Sequence, residues 1–241
     1  MTGVQTCALP IFEGYLAHRW GTSTSLPSDH PYKSLPPFTA TPATAPDAPT
    51  SPATSAGNQS MTVSWTAPAA NGTPVTDYVV EYKVHGANSW SSFADGIGTS
   101  TSATVTGLTI GTTYDFRLAA TNAVGTGAWS TTTTSTAVGV PSATAAPTAT
   151  AGDQTMALTW SAPAANGSAI TDYVVEFAVS GSASWSTFAD GTSTTTSATV
   201  TGLTPGTAYD FRVSAVNAIG TGTNSATTTA TARSEEHTSE L

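Results

Sequence analysis

Trp65 and Trp160 stand 95 positions apart, and the same spacing separates Tyr78 from Tyr173, Trp90 from Trp185, Leu108 from Leu203, Tyr114 from Tyr209 and Asn122 from Asn217. No gap is needed between Ser60 and Gly127 to hold that register. About 100 residues is the usual size of an autonomous folding unit, so a period this long repeats a whole domain. A chain of 241 residues has room for about two of them.

Each repeat reads as short strands with period-2 alternation, broken by turn signals. In the first, Met61, Val63 and Trp65 alternate with Thr62 and Ser64. Pro68–Gly72 is a turn, because proline fixes φ and Asn-Gly tolerates positive φ. Tyr78, Val80, Tyr82 and Val84 then share one face, with Asp77, Glu81 and Lys83 on the other. Short strands are expected around Trp90–Phe93 and Ala103–Val105, a long one over Tyr114–Asn122, and a Thr-rich last one over Trp129–Thr136. The second repeat copies the pattern. Short strands with turns at this spacing imply an all-β fold built as antiparallel sandwiches.

The residues that carry the pattern are VSWTAP, ITDYVVEF and GLTPGTAYDFRVSAVNAIGTG, together with the Trp before Ala-Asp-Gly. In combination they resemble fibronectin type III domains, over 46–137 and 138–232. The resemblance implies two tandem seven-stranded sandwiches of immunoglobulin-like architecture. It implies that Trp65 and Trp160 are core tryptophans, and that Tyr78, Leu108, Phe116, Tyr173, Leu203 and Phe211 pack with them. Tyr114 and Tyr209 become tyrosine-corner residues, each hydroxyl bonded to the backbone near Leu108 or Leu203. Ile110, where the second repeat has Pro205, departs from the pattern at the cost of some turn stiffness.

Glu81 and Arg117 fall on outward faces of strands expected to be neighbours, and Glu176 and Arg212 repeat them. Cross-strand ion pairs are expected, each worth under about 1 kcal/mol if exposed. Catalytic chemistry is not legible. The Gly-x-Gly runs at Gly125–Gly127 and Gly220–Gly222 join strands and are turns, not phosphate loops. His85 is the only histidine inside the repeats, and Ser180 replaces it in the second. Asp77, Asp95 and Asp115, with Asp172, Asp190 and Asp210, fall on turns or outer faces, without the opposed carboxylates of a glycosidase. Asp95-Gly96 and Asp190-Gly191 read as hairpin turns. No catalytic residue, metal site or cofactor is expected. The loops NAVGTG and NAIGTG lack Arg-Gly-Asp and any charge, which gives no support to integrin-type recognition. One binding chemistry stays open: sugar stacking on Trp90, Trp129 and Trp185, against the alternative that Trp90 and Trp185 pack over the sheet. Trp129 is replaced by Asn224 in the second repeat.

Only 9% of residues are charged, and Thr, Ser, Ala and Gly fill the surface, as in exported β-rich bacterial proteins. A net charge of −9 argues against nucleic acid, which needs Lys/Arg-rich faces. No window approaches 18 apolar residues, so no membrane insertion is expected. The one cysteine, Cys7, leaves the repeats without disulfides.

The two ends read differently. Gly3–Ile11 back-translates to DNA whose opposite strand encodes Ser234–Leu241, and that DNA resembles a sequencing-library adapter. Residues 1–11 and 233–241 are therefore expected to be artefactual and the chain a fragment, which removes Cys7 and His237 from consideration and hides any signal peptide. Phe12, Tyr15, Leu16 and Trp20 mark one face of a short helix, closed by Gly21. Phe12 to about Pro37 resembles the C-terminal tail of laminin-G/concanavalin A-like lectin domains. His18 and His30 fit no zinc spacing. The region 12–45 ends in a linker, with Thr39–Pro52 alternating Pro with Ala and Thr in semi-rigid extended geometry. The functional expectation is a monomeric rod of non-catalytic spacer modules in an extracellular or cell-surface protein. Its partner is an unknown protein or glycan. The alternative is a carbohydrate-directed adhesin or the accessory region of a secreted polysaccharide-degrading enzyme.

Overall fold

The computed structural model describes residues 42–234. The expected helix over Phe12–Trp20, His18 and His30, Cys7 and most of the two adapter-like ends lie outside them. The described residues form strands and connecting loops throughout.

The first sandwich contains β1 (Thr50–Gly57), β2 (Ser60–Thr66), β3 (Val75–Val84), β4 (Ser91–Phe93), β5 (Ser102–Thr106), β6 (Thr113–Asn122) and β7 (Thr133–Thr136). One sheet runs β1-β2-β5 and the other β4-β3-β6-β7, with antiparallel pairing throughout. The second contains β8 (Thr148–Gly152), β9 (Thr155–Thr159), β10 (Ile170–Val179), β11 (Ser186–Thr187), β12 (Ser197–Thr201), β13 (Ala208–Asn217), β14 (Gly220–Thr221) and β15 (Thr228–Thr231). Its sheets run β12-β9-β8 and β11-β10-β13, with β14 and β15 both on β13.

Alternation decides which side chains meet. Met61, Val63 and Trp65 on β2 face Val80, Phe116 and Leu118 across the first core, all buried. Met156, Leu158, Trp160, Val175, Phe211 and Val213 repeat the arrangement. Trp65 lies T-shaped against Tyr78 with ring centres 5.1 Å apart, and Trp160 against Tyr173 at 5.3 Å. Leu108 and Leu203 close one end of each core. The hydroxyl oxygens of Tyr114 and Tyr209 accept from Thr109 N and Thr204 N at 3.1 Å.

Several local expectations need correction. Thr50–Pro52 belongs to β1, not to a linker. Small Thr, Ser and Ala residues gave no hydrophobic alternation there. Pro52 is tolerated because β1 is an edge strand with a register shift between Thr50 and Ala53. The last strand is Thr133–Thr136, shorter than Trp129–Thr136. Upstream of it the Ser130 hydroxyl takes the place of a carbonyl, accepting from Leu118 N at 3.2 Å. Ser225 does the same for Val213 N at 3.0 Å. Asp95-Gly96 and Asp190-Gly191 do not turn hairpins, because β4 and β5 lie in different sheets, as do β11 and β12. Asp77 and Asp172 instead secure those crossings, accepting from Gly98 N at 3.1 Å and Ser193 N at 2.9 Å.

Candidate functional site

Two places combine side chains from several elements: the joint between the sandwiches, and the outer face of each four-stranded sheet.

The joint begins with a backbone requirement. Asn71 and Asn166 sit in the left-handed region, with φ 56° and 55°, which asparagine tolerates better than most residues. This curls each loop so that the asparagine holds the incoming chain. Asn166 accepts from Gly139 N at 2.9 Å through its carbonyl, and its Nδ2 donates to Val140 O at 2.8 Å. Buried Asn217 donates to Gly139 O at 2.9 Å, and Ala164 O accepts from Ser142 N at 3.0 Å. From the other side, Gln59 N donates to Val138 O at 3.0 Å, and Asn58 Oδ1 accepts from Val140 N at 3.3 Å. A Cβ on Gly139 would lie 2.6 Å from Ile110 Cδ1, so only glycine fits there without rearrangement. Val138 is thus held by the first sandwich, and Gly139 by the second.

The same fastenings occur at the outer ends. Asn71 and Asn122 hold Ala45 O and Thr44 O, at 3.0 and 2.8 Å. Gln154 N donates to Arg233 O at 3.1 Å, and the Arg233 backbone forms an isolated parallel β-bridge with that of Asp153. Thr44 and Ala45 are thus fastened to the first sandwich, as is the Val138 carbonyl, and the Arg233 carbonyl is fastened to the second.

On the outer face, β3 and β6 place Glu81 opposite Arg117, and β10 and β13 place Glu176 opposite Arg212. Arg117 Nε and Nη2 donate to Glu81 Oε2 at 2.9 and 2.6 Å. Arg212 Nε donates to Glu176 Oε2 at 2.7 Å. The guanidinium of Arg117 lies between two indoles, 4.2 Å from the ring centre of Trp90 and 4.3 Å from that of Trp129. In the second sandwich Arg212 covers Trp185 at 4.0 Å, and Asn224 Nδ2 donates to Glu176 at 3.1 Å. The pairs are partly shielded, so Glu81→Ala is expected to cost the first sandwich about 1–2 kcal/mol by urea denaturation. A change below a few tenths would show that the indoles alone hold the guanidinium.

A fibronectin type III model matches residues 47–136 and again 141–231, each a complete sandwich. The chain belongs to the fibronectin type III family. Human Myomesin-2 is 31% identical over 178 residues, which is 68% of this chain and 12% of that protein. The chain therefore spans about an eighth of that relative. A crystal structure of chicken CNTN1 FN1-FN3 domains superposes with a TM-score of 0.50 at 18% identity, covering 80% of this chain and 70% of that one, and it supports the fold. Fibronectin type III domains are typically non-catalytic structural modules. Among the described residues no helix is long and apolar enough to cross a membrane.

One carboxylate of the first fibronectin module has a richer setting than the sequence indicated. Strand alternation places Asp115 on an outer face, yet it is only 6% exposed. It accepts from His85 Nδ1 and Thr134 Oγ1, each at 2.8 Å, with Lys83 Nζ at 3.8 Å. Burial opposes its charge, but these hydrogen bonds and the positive charges of His85 and Lys83 outweigh that, holding Asp115 below the usual carboxylate range. A depressed folded value contributes stability above the unfolded value, about 3.9, and loses it as pH falls through the folded one. The first module is therefore expected to weaken on acidification below about pH 4, and Asp115→Asn to flatten that loss in melts across pH. Equal slopes for parent and variant would assign the acid sensitivity elsewhere. Alternation hid this cluster because β7 and the loop holding His85 close over a position that strand periodicity marks as outward.

Proposed function

We propose that the two fibronectin modules act as a spacer, holding what precedes and follows them at a set separation and orientation in an extracellular or cell-surface protein. The joint carries this reading. The residue that ends one module is bonded directly before the residue that begins the next, and Asn58, Gln59, Asn166 and Asn217 bind the connector from both sides. A tether meant to bend needs free residues, and here the backbone groups are taken. The sparsely charged, Thr/Ser/Ala/Gly-rich surface supports an exported and bacterial setting.

Small-angle scattering on the full chain tests the reading, with a variant carrying three glycines inserted after Val138. The parent should show two lobes at one separation, and the insertion should broaden that distribution. A compact side-by-side particle, or a parent as broadly distributed as the insertion, overturns it.

A further inference from the structure

Among the described residues Trp129 is the aromatic side chain most open to solvent, at 36%. The scaffold does not require it. At the same place the second module has Asn224, hydrogen-bonded to Glu176, on a core of the same construction. What the first module has instead is a fixed stack. Trp129, Arg117, Trp90 and Lys83 follow one another across the outer face, with the ammonium 4.9 Å from the Trp90 ring centre. Two bonds to Glu81 keep Arg117 from swinging away. The indole is therefore held in place before any ligand arrives, which lowers the ordering cost of binding.

We propose that Trp129 is a stacking platform for a neutral pyranose chain, present in the first module and absent from the second. The guanidinium occupies one face of the indole, and the exposure lies on the remainder, a flat apolar surface suited to the C–H face of a sugar ring. Charge selects the class of glycan. Arg117 is paired with Glu81, and Lys83 and His85 both lie against Asp115, so every cation on this strip already faces a carboxylate and none is left free for an anionic chain. Trp90 and Trp185 are not part of the site: both are less exposed than Trp129, and Trp90 has cations against it from both Arg117 and Lys83.

The test is titration of the full chain with neutral oligosaccharides (cellohexaose, mannohexaose and xylohexaose), following the indole N–H resonances. The Trp129 signal should move saturably with at least one of them, with Kd about millimolar. Trp129→Asn, which copies the second module, should weaken binding at least about tenfold while melting like a folded protein, and Trp185→Ala should bind as the parent does. Three results overturn the proposal. One is no saturable shift with any of the sugars. Another is the same affinity in Trp129→Asn. The third is a Trp129 signal that follows protein concentration alone, which would assign the ring to contact between copies of the chain.

Discussion

Gly127→Ala is expected to destabilise the first module by on the order of 3 kcal/mol, more than most single methyl additions. The methyl would fall inside contact distance of the Pro46 carbonyl oxygen and 2.9 Å from its carbon. That carbonyl has nowhere to retreat. Asn71 holds the preceding Ala45 O at 3.0 Å, and the following Asp47 N donates to Ala69 O at 3.1 Å. Gly127 is fixed in turn by its N–H to Ala120 O at 2.8 Å. Gly222 stands in the same relation to Pro141. Urea denaturation of the full chain should show an early transition for the altered module beside an unchanged one for its neighbour. A parent-like curve would mean that the incoming segment yields more easily than its hydrogen bonds indicate.

Asn217→Ala should cost about 3 kcal/mol and loosen the joint as well. The side chain is only 4% exposed. Its Nδ2 donates to Gly139 O, Ala165 O and Ser168 O at 2.9, 3.1 and 3.3 Å. Its Oδ1 accepts from Ile219 N and Gly220 N at 2.9 and 3.2 Å. Truncation strands several backbone groups, and leaving a buried partner unsatisfied costs about 1–3 kcal/mol. Asn122→Ala removes the equivalent set in the first module, including Thr44 O, but does not touch the connector. The pair therefore separates two effects. Both variants should unfold earlier, while only Asn217→Ala should broaden the scattering distribution. Equal scattering from the two would show that the Gly139 contact does not set the joint.

The fold was largely legible because its determinants are local. Alternation at Met61–Trp65 and Tyr114–Asn122 identifies buried faces, and Asn71-Gly72 specifies positive φ, which the structure shows at both residues. The paired strands β3 and β6 bring Glu81 and Arg117 together through register, which sequence can count. The Trp90–Arg117–Trp129 stack was not countable. Its members come from the segment before a three-residue edge strand, a central strand, and the irregular run before β7. Their approach depends on sheet twist and on where Ser130 interrupts the ladder. The joint was hidden for a related reason. Asn122 and Asn217 were visible as repeat markers, but nothing local shows that an asparagine will bond across 78 residues to an incoming carbonyl.

The junction at Val138 and Gly139 also accounts for the uninterrupted spacing between the two halves. Each stretch of 95 residues carries one receiving end and one delivering end, with no spare residue between them. An exact 95-residue spacing keeps Gly139 against Ile110 and Asn166 at this seam. Gaining or losing one residue at the seam would instead take Gly139 away from Ile110 and Asn166 together. The seam leaves the spacing of the two modules no latitude.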